Sequence, residues 1–188
     1  IFDKRTNEYV LNGECRAVLL DETPDDTWAH GKTYLGEICG VFETPEFSVT
    51  ECGNVRATLR VKTHFNASEL CREYIIYPDS DVVKVNVTVD FHEKHRTLKF
   101  AFPAASDETI AKIPFGTITR KNNLGEEPCG SWIANGKLCI ANDSKYAYDT
   151  LDNEIRLTVL RSAIYADHMG ERDEFCRFME QGIHEFSY

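Results

Sequence analysis

The sequence predicts an all-β protein built as a large antiparallel β-sandwich. Many short stretches alternate between apolar and polar residues, which is the two-residue period of a strand with one face in a core. Turn-forming residues separate these stretches at short intervals. No long segment has the period of a helix, and many short strands at close spacing are typical of sandwiches and barrels.

The clearest strand is VVKVNVTVDF, residues 82–91. Its apolar face consists of Val83, Val85, Val87, Val89 and Phe91. A second strand, TLKFAF (97–102), follows it, and the turn HEKHR joins the two as a hairpin. The same alternation predicts further strands at 15–20, 55–65, 72–77, 137–142, 154–160 and 182–188.

Helical and domain signals are weak. ASELCREY (67–74) and DEFCRFMEQ (173–181) are the two candidates for a short helix. No repeat or linker divides the chain, so residues 1–188 are predicted to form a single β-sandwich domain. The chain starts at Ile1 and stops inside the alternating stretch IHEFSY, so we expect this domain to be a fragment of a longer protein.

The net charge of the chain disfavours two classes of binding partner. The chain has 31 acidic and 21 basic residues, a formal net charge of -10. This balance disfavours nucleic acid and anionic membrane surfaces, both of which attract basic patches. No apolar run approaches the roughly 20 residues of a membrane span. A neutral polar ligand such as a sugar is compatible with this composition.

Seven cysteines are present, an odd number, and no pair has CxxC spacing. A disulfide framework or a zinc knuckle is therefore disfavoured. Small apolar thiols in a reducing compartment are the simpler interpretation, and we expect a cytoplasmic protein.

Catalytic motifs are scarce. HExxH, H-x-D and G-x-S-x-G do not occur. His92 and His95 in FHEKHR are either a short-spaced pair of metal ligands or part of a solvated hairpin, and we favour the hairpin. In NDSKYAYD (142–149), Ser144 beside Lys145 is either a nucleophile with its base or part of a polar loop between strands.

The loop TPDDTWAHG (23–31) is the best local candidate for ligand binding. Asp26, Trp28 and His30 follow a predicted strand closely. An exposed tryptophan flanked by acids is a common arrangement for stacking against a sugar ring and binding its hydroxyls. The alternative is a core tryptophan that closes one end of the sandwich, and the residues alone leave both open.

Several motifs in order resemble the C-terminal β region of family 38 glycoside hydrolases, the α-mannosidases. They are DKRTNEYVL, DTWAHG, VDFHEKHRTLKFAFP, IPFGTITRKN, EEPCGSWIAN, LCIANDSKYAYD, IRLTVLRSAIYAD and EQGIHEFSY. The bacterial and cytoplasmic branch is the most similar. Arg161 and Asp167 match the family's LRSPxxPD, although Ile164 to Ala166 depart from its prolines.

The resemblance implies a galactose mutarotase-like supersandwich. It also implies that catalysis takes place in a different domain of the enzyme. Enzymes of this family are retaining, with an N-terminal catalytic domain, a helical bundle and then β domains. Zinc binds in the catalytic domain, partly through an H-x-D pair, and contacts sugar hydroxyls. That pair and the nucleophilic aspartate have no counterpart here, so no catalytic residue and no metal ligand is expected in this chain. The implied partners are an α-mannoside oligosaccharide and the catalytic and helical domains of the same polypeptide.

By resemblance, NDSKYAYD faces the catalytic domain near the mannose site. The residues implied to contact substrate or to seal the domain interface are Asp26, Trp28, His30, Asp143, Tyr146, Tyr148 and Asp149. A plain turn is the third possibility for the 142–149 segment. We also expect the surface that packs on the other domains to be apolar, so that the fragment alone can form a homo-oligomer.

Three hypotheses result. The leading one is a non-catalytic domain that braces and partly lines the mannose site of an α-mannosidase, itself inactive alone. The second is an autonomous carbohydrate-binding module. The third is a mutarotase-like epimerase, which needs a His/Glu acid–base pair. His184 and Glu185 are adjacent on one predicted strand and point to opposite faces, so this hypothesis ranks last.

Overall fold

The computed structural model describes residues 1–188 except residues 12, 24, 124, 152 and 167–174. Within the described residues the chain forms strands and one short 3-10 helix, Ala29–Gly31. The strands are β1 Phe2–Asp3, β2 Glu8–Tyr9, β3 Arg16–Asp21, β4 Ile38–Val41, β5 Glu43–Cys52, β6 Ala57–Phe65, β7 Ser68–Ile76, β8 Val83–Phe91, β9 Arg96–Pro103, β10 Glu108–Ile113, β11 Gly116–Lys121, β12 Glu127–Pro128, β13 Trp132–Asn135, β14 Leu138–Ala141, β15 Ala147–Leu151, β16 Glu154–Arg161 and β17 Gly182–Ser187.

Two large sheets dominate the architecture. One has six strands in the order β12-β15-β16-β9-β3-β4, and the other has five in the order β17-β8-β7-β6-β5. A four-stranded sheet, β11-β10-β13-β14, and the hairpin β1-β2 complete the described strands. Neighbouring strands pair antiparallel throughout these sheets. The predicted all-β sandwich fold is confirmed.

The core lies between the two large sheets. The alternation of β8 predicted its buried face correctly, because Val85, Val87, Val89 and Phe91 are all buried. Phe100 of β9 stacks against Phe186 of β17 with ring centroids 5.9 Å apart, which joins one sheet to the other. Burial of such side chains stabilises the fold by about 1.5 to 3 kcal/mol each.

The outer face of the six-stranded sheet is also buried. Lys99 and Arg156 alternate with apolar neighbours, a pattern that in a half-buried strand turns such side chains to water. Neither is solvent-accessible here. The covering segments come from the loops. Glu126 binds Lys99 and Thr158 on this face, and its backbone N–H donates to the carbonyl of Thr33 at 2.6 Å. Charged side chains at these positions therefore bind one another under a polar cover.

Four predictions of local structure were wrong. The turn HEKHR does not close a hairpin, because β8 belongs to the five-stranded sheet and β9 to the six-stranded sheet, so this turn connects the two sheets. Residues 67–74 are not helical but enter β7, because Glu69 to Ile76 pair with Val83 to Asp90 of β8. The loop predicted at 142–149 ends at residue 146, since Tyr148 and Asp149 pair with β16. The described part of the 173–181 candidate, residues 175–181, is not helical either, and its first two residues lie outside the described part.

Strand β5 is the outer strand of its sheet. Its Phe47 and Val49 share a face with Val61 and Leu59 of β6, their register partners. Phe47 and Val49 are each 67% exposed, whereas Val87, on the same face three strands away, is buried. The six-stranded sheet therefore covers only part of this apolar face.

Two findings concern the wider context of the chain. No helix in the part of the chain that the structure describes is long and apolar enough to cross a membrane. The cysteines form no disulfide among the described residues, so the core and the sheets provide the stabilisation.

Candidate functional site

Several loops gather at one end of the six-stranded sheet. Antiparallel pairing brings the last residue of β3, Asp21, beside the first residue of β9, Arg96, and brings Thr97 beside the last residue of β16, Arg161. The loop after β3, the connection from β8 to β9 and the segment after β16 therefore meet at the same end. We refer to it as the loop end.

The loop after β3 carries Trp28, and its backbone is fixed locally. Asp26 Oδ1 accepts a hydrogen bond of 2.9 Å from the Trp28 N–H, which closes a turn typical of aspartate. Ala29 then takes a left-handed φ of 52° and starts the 3-10 helix. We call residues 25–33 the Trp28 loop.

The Trp28 loop is tied to the segment after β16. The N–H of Thr27 donates to the carbonyl of Ile164 at 3.0 Å, and Thr27 Oγ1 accepts from the Ala166 N–H at 3.0 Å. Asp26 forms a parallel bridge with Ile164. Asp26 is buried, whereas the Trp28 side chain is 67% exposed. The structure therefore places the tryptophan on the surface and not in the core.

His30 lies in the 3-10 helix, two residues after Trp28. Asp25 forms an ion pair with Lys32, which closes the loop from the other side. A polar cavity of about 360 Å³ lies beside it, lined by Asp21, Asp25 and residues 31–36. Sequence reasoning placed this loop correctly near a strand end, but it did not find the polar contacts that hold it.

Asp143 and Tyr146 belong to a different surface. Asp143 Oδ2 accepts hydrogen bonds from the N–H and the hydroxyl of Ser187, at 2.9 and 2.8 Å. Ser187 pairs with Asn86, five residues along β8 from Phe91 at the loop end. At a strand rise of about 3.3 Å per residue, Asp143 is roughly 17 Å from that end. Tyr146 is 63% exposed, and its carbonyl accepts from the Cys129 N–H at 2.9 Å.

Tyr148 and Asp149 are buried in β15. Asp149 binds Arg156 and Lys99 on the covered outer face of the six-stranded sheet. The Tyr148 hydroxyl lies 3.5 Å from Arg120 Nη1, a donor, and burial raises the pKa of this phenol. Both side chains are 2% exposed or less, and Tyr148 belongs to the hydrophobic core, so neither reaches a sugar in this structure. Their positions favour a structural role in the described chain.

Ser144 and Lys145 do not form a nucleophile–base pair. The Ser144 hydroxyl donates to Asp143 Oδ1 at 2.9 Å. The Lys145 ammonium lies over the Phe186 ring, 4.5 Å from its centroid, and burial lowers its pKa. The serine oxygen is thus directed to a carboxylate and the lysine to an aromatic ring, which is the arrangement of an ordered polar loop.

Metal-binding groups are absent from the described residues, which hold no set of three or more His, Cys, Asp or Glu side chains arranged around a common point. His92 pairs with Asp90 at 2.8 Å, while His95 stacks edge-on against Phe178. The two histidines between β8 and β9 therefore have different neighbours. These residues do not fit a zinc site, and the zinc implied by the resemblance stays a prediction for the catalytic domain.

The His/Glu pair needed for an epimerase also does not converge. His184 and Glu185 face opposite sides of β17, since His184 pairs with Val89 and Glu185 with Thr88. His184 Nε2 lies 3.1 Å from the carbonyl of Glu180. The third hypothesis has no support in this geometry.

Comparison with known families identifies the domain. Residues 1–169 match the model of the glycosyl hydrolases family 38 C-terminal domain, which is most of the chain. The chain belongs to this family. The match confirms the resemblance of the ordered sequence motifs to the C-terminal region of family 38. Among proteins with curated functions, none matches the sequence.

Solved structures share the fold of this family 38 domain. A protein in glycosyl hydrolase family 38 from Enterococcus faecalis superimposes with a TM-score of 0.76 at 16% identity over 99% of this chain. An α-mannosidase from Enterococcus faecalis V583 superimposes with a TM-score of 0.74 at 16% identity, also over 99%. The chain spans about a quarter of each of these proteins, 27% and 26%.

Proposed function

We propose that this family 38 domain braces the active site of an α-mannosidase and contributes the Trp28 loop to its mannose-binding surface. The observation that carries the proposal is an indole exposed at the loop end of a rigid sandwich, on a backbone fixed by hydrogen bonds on both sides. An aromatic ring held in this way offers a flat apolar face to a pyranose ring at little entropic cost.

The substrate class in this proposal is an α-mannoside oligosaccharide hydrolysed by the whole enzyme with retention. Bond cleavage belongs to the catalytic domain, where zinc is also expected. The present domain alone is expected to be inactive. Asp26 and His30 lie within two residues of Trp28, and Asp26 acts through the turn that presents the indole.

Tyr146 and Asp143 form a second surface in the proposal, separate from the Trp28 loop. The Tyr146 ring is mostly exposed, and its carbonyl accepts a hydrogen bond from the Cys129 N–H. The preceding residue, Lys145, donates its N–H to Asn142 Oδ1 at 2.6 Å. Because Asp143 is far from the loop end, we assign Tyr146 and Asp143 to the interface with another domain. Packing there would hold the two domains in a fixed orientation.

The apolar face of β5 and β6 supports a contact with other domains of the polypeptide. Phe47 and Val49 continue the core-facing surface of the sheet beyond its cover. Exposed apolar patches of this kind mark interaction sites. In a multidomain mannosidase this face would be covered, and in the separate domain it would favour a homo-oligomer. A cytoplasmic location is part of the same proposal.

The test is kinetic and uses the full-length enzyme. Trp28→Ala removes the stacking face, and we expect KM for a chromogenic α-mannoside to rise about tenfold, as loss of ~1 to 1.5 kcal/mol of aromatic contact implies. Phe115→Ala is the matched control, since Phe115 is a fully exposed aromatic residue on the β10–β11 turn. Unchanged KM and kcat in Trp28→Ala, with a native melting temperature, would refute the substrate-lining role.

An autonomous carbohydrate-binding module is the alternative, and the exposure of Trp28 favours it as well. Titration of the 188-residue chain with mannose by calorimetry separates the two. Saturable binding in the millimolar range or tighter, lost in Trp28→Ala, would support a module. Flat titrations would leave sugar binding dependent on the catalytic domain.

A further inference from the structure

Two ion pairs connect β3 and β16, one at each end of the six-stranded sheet. At the loop end, Glu22, which follows β3, accepts a hydrogen bond of 2.9 Å from Nε of Arg161, the last residue of β16. At the opposite end, Arg16 Nη2 donates to both oxygens of Glu154 at 2.7 and 2.8 Å. Strand β9 lies between β3 and β16, so each pair bridges it.

The pair at the loop end has additional partners. Arg161 Nη2 donates to the carbonyl of Asp26 at 3.1 Å, and Nη1 donates to the carbonyl of Thr27 at 3.3 Å. These are the two carbonyls that immediately precede Trp28. The planar guanidinium thus binds one carboxylate and two backbone carbonyls at once, a geometry that the ammonium of lysine does not reproduce.

Burial makes the Glu22–Arg161 pair sensitive to substitution. Glu22 is 1% exposed, so its carboxylate is removed from water and depends on Arg161 for its charge partner. The N–H of Asp25 also donates to the carbonyl of Glu22 at 2.6 Å, which joins the first turn of the loop to the same residue. The start of the loop and its centre are therefore fixed by one pair of side chains.

We propose that Glu22 and Arg161 are positioning residues that hold the Trp28 loop so that the indole faces the sugar. The proposal rests on the proposed function for the identity of the ligand. The claim that this pair holds the loop does not depend on the proposed function, because the orientation of the loop can be measured without a substrate. Neither side chain needs to touch the sugar.

Fluorescence provides that measurement. The chain has two tryptophans, so Trp132→Phe leaves Trp28 as the single indole. In this background we expect Arg161→Lys to increase the amplitude of the fast component of the Trp28 anisotropy decay and to raise its acrylamide quenching constant about twofold. Arg16→Lys is the matched control, because it weakens the equivalent ion pair at the opposite end of the same strands. It should leave Trp28 unchanged.

Kinetics in the full-length enzyme complete the test. Arg161→Lys should raise KM several-fold with little change in kcat, and it should have no further effect in a Trp28→Ala background. Glu22→Gln, which keeps a hydrogen-bond acceptor, should show a smaller effect in the same direction. Arg16→Lys should leave KM unchanged.

The possible outcomes separate the two proposals. Unchanged Trp28 anisotropy in a folded Arg161→Lys protein would overturn the positioning role. Unfolding of both Arg161→Lys and Glu22→Gln would also overturn it, since the pair would then support the whole sheet. Increased indole mobility in Arg161→Lys, together with a wild-type KM in Trp28→Ala, would support the positioning role and refute the sugar contact.

Discussion

Asp149 and Arg156 lie directly opposite each other in the β15–β16 pair, and two parallel hydrogen bonds of 2.6 Å join their side chains. Neither is accessible to water. Lys99 Nζ lies 3.1 Å from Asp149 Oδ2 and also binds Glu126. The cluster contains two cations and two anions, and this balance is what makes its burial tolerable.

Removing one charge from this cluster should be costly. In Asp149→Asn, Arg156 keeps its charge without a carboxylate partner, and we expect a loss of about 3 to 5 kcal/mol in the free energy of unfolding. Urea unfolding monitored by circular dichroism gives this value. The double variant Asp149→Leu with Arg156→Met is the control, because it removes a neutral pair and should cost less. A loss below 1 kcal/mol in Asp149→Asn would contradict the assignment.

Two glycines near the Trp28 loop offer a matched comparison of backbone strain. Gly36 has a φ of 105°, and a Cβ there would lie 2.0 Å from the Asp21 carbonyl oxygen. Gly31 has a φ of 80° with no atom within 4 Å of such a Cβ. We expect Gly31→Ala to lower stability by about 1 kcal/mol and Gly36→Ala to lower it several times more. Equal melting temperatures for the two variants would show that the clash is relieved by a small shift.

The thiols should differ strongly in reactivity. Burial and the nearby Glu126 raise the pKa of Cys129 to about 11, whereas Cys52 and Cys139 are exposed. Because the thiolate is the nucleophile, alkylation of Cys129 at pH 8 should be roughly 100-fold slower than that of an ordinary exposed thiol. Peptide mapping after timed treatment with iodoacetamide measures each rate, and urea should abolish the difference. Labelling of Cys129 as rapidly as Cys52 in the native protein would be inconsistent with its burial.

Asp143 should make the fold sensitive to acid. Although partial burial opposes ionisation, hydrogen bonds from Ser187 and Ser144 lower the pKa of its carboxyl below the usual 3.8. A lowered pKa contributes stability above the ordinary value, and this contribution is lost as the pH falls through the folded pKa. Asp143→Asn should therefore flatten the dependence of stability on pH below about 4. Ser187→Ala should do so partially. An unchanged acid limb in Asp143→Asn would refute this linkage.

Period-two alternation predicted the fold class and the face of β8 that is buried, because a half-buried strand repeats its environment every second residue. It failed at Lys99, where the second face is also covered, by loops distant in sequence. It also missed β5, whose Pro45 and glutamates are untypical of a strand. Whether a strand lies at the centre or the edge of a sheet, and what covers its faces, depends on segments that are distant in sequence.

The candidate site was predictable only in part, because some of its contacts join residues that are far apart in sequence. Trp28 was identified correctly as a loop residue, and the structure decided in favour of exposure over the core. The contact of Glu22 with Arg161 joins residues 139 positions apart, so no local pattern signals it. Tyr148 and Asp149 were expected in a loop because the polar segment NDSKYAYD lies between two predicted strands, but pairing with β16 places them in a strand.

The outer strand of the five-stranded sheet has a consequence for how the protein behaves when concentrated. Pro45 lacks an N–H, and the register of β5 against β6 shifts twice, between Glu43 and Glu46 and between Val49 and Glu51. These irregularities, with three glutamates, make β5 a poor template for a strand from another molecule. Fibril growth by edge addition is therefore opposed here, even though ten residues of this strand lie at the margin of the sheet.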